Sequence, residues 1–164
     1  MTSTPLIFDF EKNSNLSNWN VVNDGVMGGL SRGKIEINKD GNALFSGTIS
    51  LENNGGFSSV RYRFNTKEVK RYTKVLIRLK GDGKKYQFRI KTNTYDRYSY
   101  ISHFETTGDW QTVEISLSDM YPAFRGRELD LPNYPIEIME EIAFLIGNKK
   151  AESFNLEIDK IELK

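Results

Sequence analysis

Residues 34–51 read KIEINKDGNALFSGTISL, two runs of alternating apolar and polar residues on either side of Asp40-Gly41. A side-chain period of two belongs to a strand with one face buried, and glycine accepts the positive φ that a tight hairpin turn requires. The stretch therefore predicts two antiparallel strands joined by a hairpin. The same period continues downstream in KVLIRLKG (74–81), KYQFRIKT (85–92) and WQTVEISL (110–117), and Asp82-Gly83 predicts a second hairpin. No segment keeps apolar residues at helical spacing for a dozen positions. TKEVKRYT (66–73) and PIEIMEEI (135–142) are expected to give a helical turn or two at most. About ten short strands on one domain, residues 1–164, predict an all-β jelly-roll β-sandwich of two antiparallel sheets.

Upstream of the opening stretch, GVMGGLSRGK (25–34) fits a phosphate-cradling loop, G-x-x-x-x-G-K-[ST], in all but its last letter. Such a loop needs a helix whose N-terminal amides face the phosphates and a hydroxyl for the magnesium ion. Here Lys34 leads into the alternating run Ile35, Glu36, Ile37, so neither is present and the nucleotide reading is rejected.

Composition narrows the remaining classes. The 164 residues carry 23 Lys+Arg against 22 Asp+Glu, a balance that gives no long-range field to gather nucleic acid or an anionic membrane. Cysteine is absent, which removes thiolate nucleophiles and cysteine-based zinc sites. The N-terminal residues show no basic start followed by an apolar run, and no window approaches a membrane span, so the expectation is a cytoplasmic protein without membrane insertion. The single histidine, His103, lies in SYISHFETT (99–107) and reads as a packed or half-exposed strand residue. Acid pairs such as Glu140-Glu141 keep a glycosidase in view, but that chemistry requires two carboxylates facing each other across a cleft.

Alternation also defines what the strands leave outside. Val60, Tyr62 and Phe64 oppose Ser59, Arg61 and Arg63. Val75, Ile77 and Leu79 oppose Arg78 and Lys80, and Tyr86, Phe88 and Ile90 oppose Gln87, Arg89 and Lys91. Successive strands are thus expected to align a cationic face carrying Arg61, Arg63, Arg78 and Arg89, with Tyr98 and Tyr100 close by in sequence. A concave surface of this kind suits sugar hydroxyls, a carboxylate-bearing glycan or an acidic protein segment. The competing reading is a solvated face whose cations discourage edge pairing. In PAFRGREL (122–129), Arg125-Gly126-Arg127 is expected in an irregular connection, where Arg125 either meets a ligand or pins the loop.

Several blocks occur together and in order: DGVMGGLSRG (24–33), FSGTISLENNGGFSSVR (45–61), GDGKKYQFRI (81–90), the WQTVEISL strand, PAFRGREL and FNLEIDKIEL (154–163). In these the chain resembles the complex I intermediate-associated protein 30 family from end to end. The resemblance implies a galactose-binding-like sandwich, related in shape to carbohydrate-binding modules, with no defining catalytic activity. It also implies a chaperone-like role in assembling respiratory complex I, hence a protein partner such as its subunits. Two roles remain for the polar residues of the most specific blocks, Asp24, Ser31, Arg32, Asn54 and Arg61: locking turns, or meeting a partner. Met27, flexible and apolar, reads either as a core plug or as a contact.

The resemblance to carbohydrate-binding modules adds a metal expectation, because paired termini there hold a structural calcium ion. FDFE (8–11) and LEIDKIEL (156–163) look like such termini, and Glu11, Asp40 and Asp159 are the candidate ligands. Calcium takes six to eight oxygens, and these supply only three side chains. In LEIDKIEL the apolar phase slips at Asp159-Lys160, which predicts a β-bulge.

Overall fold

The structure is a computed structural model that describes residues 6–27 and 29–164, with backbone only at Val26, Met27 and Asn54. Its strands form two antiparallel sheets packed face to face. The first holds β1 (Leu6–Asp9), β3 (Arg32–Ile37), β4 (Ala43–Ile49), β6 (Lys74–Lys80), β9 (Trp110–Ser116) and β13 (Glu152–Leu163). It runs β3-β4-β13-β6-β9, with β1 against the end of β13. The second holds β2 (Trp19–Asn23), β5 (Ser58–Glu68), β7 (Lys85–Lys91), β8 (Ser99–Glu105), β10 (Tyr121–Phe124), β11 (Arg127–Glu128) and β12 (Ile138–Ile146). Its order is β11-β10-β8-β7-β12-β5-β2.

Every alternating run places its apolar set between the sheets. Phe45, Val75, Ile77, Leu79, Leu156 and Ile158 come from one side, and Val60, Phe88, Ile90, Ile142 and Phe144 from the other, all fully buried. Burying each side chain of this size contributes about 1.5–3 kcal/mol. At the end of the sandwich Trp19 stacks on Tyr62 at 4.7 Å, with Phe8 edge-on to both, so the first strands are tied to the core. The phase slip in β13 is a register shift against β6 between Ile158 and Lys160, and Ile158, Ile161 and Leu163 are all buried.

Asp40-Gly41 is the β3–β4 hairpin, whereas Asp82-Gly83 is not a hairpin turn. It carries the chain out of the first sheet, at β6, into the second, at β7. Local chemistry holds this corner. Asp82 accepts from the Tyr86 hydroxyl at 2.9 Å and the Asn155 amide at 2.9 Å, and Thr106 Oγ1 accepts from Gly83 N while donating to Lys84 O. Turn residues alone could not reveal this, because the Gly83 φ of 82° serves a corner as well as a hairpin. The expected helical turns at 66–73 and 135–142 are also absent. Three short 3-10 turns lie instead at Asp24–Met27, Glu52–Asn54 and Leu117–Asp119. Among the described residues no helix is long and apolar enough to cross a membrane.

Candidate functional site

The outer face of the seven-stranded sheet is the candidate site. Register lines up Asn20, Arg61, Ala143, Arg89, Ile101 and Tyr121 in one row across six strands. The neighbouring row holds Val22, Ser59, Leu145, Gln87 and His103. A fully solvated face would leave such residues open to water. Instead Ala143 is 4% exposed, Leu145 7% and Ser59 2%, because the stems of the long cations and the flanking loops cover them. The result is a cleft of about 520 Å3 lined in part by Val22, Phe57, Leu145, Ala123 and Phe124, with Arg61, Arg89, Lys91, Arg97 and Arg125 around them. It continues past Leu51, Gly55, Gly56 and Gly147 to Lys149.

Its charges are unbalanced. Among the described residues none of Arg61, Arg89, Lys91, Arg97, Arg125 and Lys149 makes an ion pair with a carboxylate. Arg89 bonds only neutral Gln87 Oε1, from Nε at 3.0 Å and Nη2 at 2.8 Å. Burial, and then the Arg61 charge, push its guanidinium down to about 10. Burial likewise lowers the Lys91 ammonium, which donates to the Asp96 carbonyl at 2.6 Å. The nearest acid on the face, Glu141, is 2% exposed and taken by Arg63 at 2.8 Å.

The residues singled out from sequence divide accordingly. Arg61, Arg89 and Arg125 meet in the cleft, and Arg63 stands beside it, held by Glu141. Arg78 does not belong there, a consequence of the corner at Asp82-Gly83. It lies on the first sheet, bonded to Asp159 at 3.2 Å and over the Trp110 ring. Tyr100 corrects the expectation in the same way: it faces the core, packed on Tyr98 and Tyr134. Arg32 is exposed on β3, the edge strand of the first sheet. The side chains of Met27 and Asn54 lie outside the described residues. Residues 125 and 126, expected in an irregular connection, form a two-residue hairpin with φ of 52° and 77°, and the Arg125 guanidinium sits 5.3 Å over Phe124. Phe57, Arg97 and Lys149 had no sequence signal, since loop residues carry no period.

Asp24 and Ser31 lock the loops instead of facing the cleft. Asp24 is 1% exposed and accepts from Ser31 N at 3.0 Å, from the Ser31 hydroxyl, from Gly56 N at 2.6 Å and from Phe57 N at 3.2 Å. Burial pushes its carboxyl up, but these donors outweigh burial and leave it below the usual carboxylate range. A Cβ at Gly29 or Gly55 would overlap the Asp24 carboxyl, so both glycine-rich blocks close on this one side chain. Gly56 and Phe57, which it holds, form part of the cleft wall.

The proposed calcium ligands are not gathered. Among the described residues no three His, Asp or Glu side chains are placed to share an ion. The turns bearing Glu11 and Asp40 touch through Gly41 and Lys12, but the Asp159 carboxylate is held by Arg78. These side chains do not fit a calcium site.

Comparison with known proteins adds the lineage. The family described as Complex I intermediate-associated protein 30 (CIA30) matches residues 8–158. Complex I intermediate-associated protein 30, mitochondrial, of Drosophila melanogaster is 26% identical over 186 positions, covering 98% of this chain and 63% of the fly protein. The Mus musculus protein of the same name is 25% identical, with 98% and 56% covered. The chain thus spans about 56–63% of the length of these relatives. Both are named as mitochondrial, which overturns the expectation of a cytoplasmic protein. That expectation rested on the first few residues and on the lack of a long apolar window. Among solved structures, the Family 11 Carbohydrate-Binding Module of a Clostridium thermocellum cellulosomal cellulase superposes with a TM-score of 0.72 at 17% identity, covering 99% of this chain and 95% of the module. The Clostridium thermocellum Family 11 module in complex with a mixed-linked tetrasaccharide gives 0.67 at 18%, covering 94% and 93%. At these identities the likeness shows the fold.

Proposed function

The chain belongs to the complex I intermediate-associated protein 30 family, and from that premise we propose that it is a non-catalytic module that holds a protein partner during complex I assembly. The contact surface is the outer face of the seven-stranded sheet. The observation that carries this reading is a largely apolar floor ringed by cations that, among the described residues, make no ion pair with a carboxylate. A face finished for solvent would leave its floor polar and its charges paired. Among the described residues no carboxylate lines the cleft, which speaks against glycosidase chemistry there, since that needs two. The test is Ala143→Arg, which fills the floor between Arg61 and Arg89 and leaves the core face untouched. Complex I subunits are expected to stop co-purifying with this variant, while Thr112→Arg on the outer face of the other sheet leaves them bound. Equal retention by both variants refutes the reading.

A second reading, carbohydrate binding on the same face, is supported by the sandwich shared with the Family 11 modules and by the His103–Tyr121 pair, stacked 6.1 Å apart beside the cleft. Sugar recognition by hydrogen bonds and ring contacts is weakly screened, so glycan-array binding that survives high salt would favour it.

A further inference from the structure

The geometry points to the class of partner: Arg61, Arg89, Lys91, Arg97 and Arg125 form a carboxylate-recognition site for an extended acidic protein segment, whose apolar side chain seats on Phe57, Phe124 and Leu145. This deepens the function proposed above and rests on it.

Four observations carry the inference. The first is the charge imbalance. The acids near the cleft are Glu141, already held by Arg63, and Asp96; their charges reach Lys91, whose ammonium donates to the Asp96 carbonyl, but neither pairs with Arg61 or Arg89. Residues outside the described set carry no carboxylate in the sequence that could supply a partner. A buried guanidinium without an anion is costly, so Arg89 beside Arg61 is a cost that a bound carboxylate would remove.

The second is spacing. Arg61 and Arg89 both pair with Ala143 from opposite sides of β12, which sets their backbones about 9–10 Å apart. A polyproline-II segment has three residues per turn and rises about 3.1 Å per residue, so acids three positions apart on the ligand lie on one face about 9 Å apart and match the two forks. The third is the apolar part of the cleft wall, Phe57, Phe124 and Leu145, which takes an apolar side chain of the same segment. The fourth is Arg125. It holds φ at 52° in a turn where glycine would be unstrained, and strain of this kind is retained where the side chain has a use. Guanidinium forks donate bidentately to carboxylates, which suits them to this task better than ammonium groups.

The probe is a synthetic peptide of sequence Gly-Glu-Phe-Ser-Glu-Gly, capped at both ends, titrated into the full chain by calorimetry beside a peptide with both Glu replaced by Gln. The acidic peptide is expected to bind at least about tenfold more tightly, with affinity falling as salt rises. Arg61→Gln and Arg89→Gln should each weaken it by about tenfold, and Arg78→Gln, on the other sheet, should leave it unchanged. Because Arg89 is deeply set, Arg97→Gln and Arg125→Gln, at exposed positions, provide variants that cannot fail through misfolding of the floor. The inference is overturned if the two peptides bind alike, if neither binds, or if Arg78→Gln weakens binding as much as Arg89→Gln. Tighter binding of a single-stranded oligonucleotide than of the acidic peptide overturns it in favour of phosphate. Complex I subunits lost from Ala143→Arg but retained by the Arg61→Gln, Arg89→Gln double variant would sink the carboxylate site and leave the proposed function standing. Retention by both would sink both.

Discussion

The two outer faces of the sandwich are built from the same sequence pattern and finished differently. On the six-stranded sheet most cations are answered locally, with Arg32 and Lys80 as exceptions: Lys34 by Glu36, Lys74 by Glu114, Arg78 by Asp159 and Lys160 by Glu162. The centre of the seven-stranded sheet has Arg61, Arg89, Lys91, Arg97 and Arg125 without such partners among the described residues, over a largely apolar floor. Paired charge makes a surface that is self-sufficient, and unpaired charge over apolar residues makes one that gains from a ligand. The contrast explains how a chain of nearly zero net charge can hold a strongly cationic site.

The largest way to break this contrast is through Asp24, which fastens the glycine-rich blocks that wall the cleft. Asp24→Ala leaves the Ser31, Gly56 and Phe57 amides without their acceptor. It is expected to cost about 3 kcal/mol, seen as a fall of about 6–12 °C in melting temperature. Asp24→Asn keeps one acceptor oxygen and should cost about half as much. Because the folded Asp24 pKa lies below its unfolded value, its contribution is present above the unfolded carboxylate pKa and lost as pH falls through the folded one. The variant and the wild type should therefore converge in stability under acid. A melting temperature within a degree or two of the wild type at neutral pH would show that the loops hold without this acceptor.

A smaller effect compares the two faces directly. Arg89→Met keeps the stem that covers Ala143 and removes a desolvated charge beside Arg61. It is expected to raise stability by about 0.5–1 kcal/mol, and added salt should narrow the difference. Arg78→Met, which breaks a part-exposed pair with Asp159, should lower stability by about 0.2–1 kcal/mol. Opposite signs in chemical denaturation are the signature of one face kept for binding and one for stability. The same sign at both positions would erase the distinction.

Much of the fold was legible because burial on one side of a strand writes itself into alternation. The runs at 34–51, 74–81, 85–92 and 110–117 became β3 and β4, β6, β7 and β9, and the slip at Asp159-Lys160 became a bulge. Sheet membership was not legible. Asp82-Gly83 has hairpin chemistry yet makes a corner, because Thr106 and Asn155, distant in sequence, hold the crossing together with nearby Tyr86. That single misplacement sent Arg78 to the wrong face. Arg61 and Arg89 were readable from parity, but Phe57, Arg97 and Lys149 come from loops that tertiary packing alone brings to the cleft.

The smallest predicted effect uses His103, the one group beside the cleft that titrates near neutrality. It bonds the Tyr121 hydroxyl at 2.7 Å, and burial, then Lys85 and Arg89, hold its pKa below the usual value of 6.5. The unfolded chain therefore binds a proton more readily than the folded one, and stability should decline as pH drops through the window just below 6.5. His103→Gln is expected to flatten that slope in urea titrations between about pH 5 and 7. Arg89→Met should flatten it in part, because one of the opposing charges is gone. A saturating acidic peptide should do the same by neutralising Arg89, which ties the titration of the rim to occupancy of the cleft. No change in slope in either Arg89→Met or the peptide complex would mean that His103 responds to burial alone and does not sense the cationic site beside it.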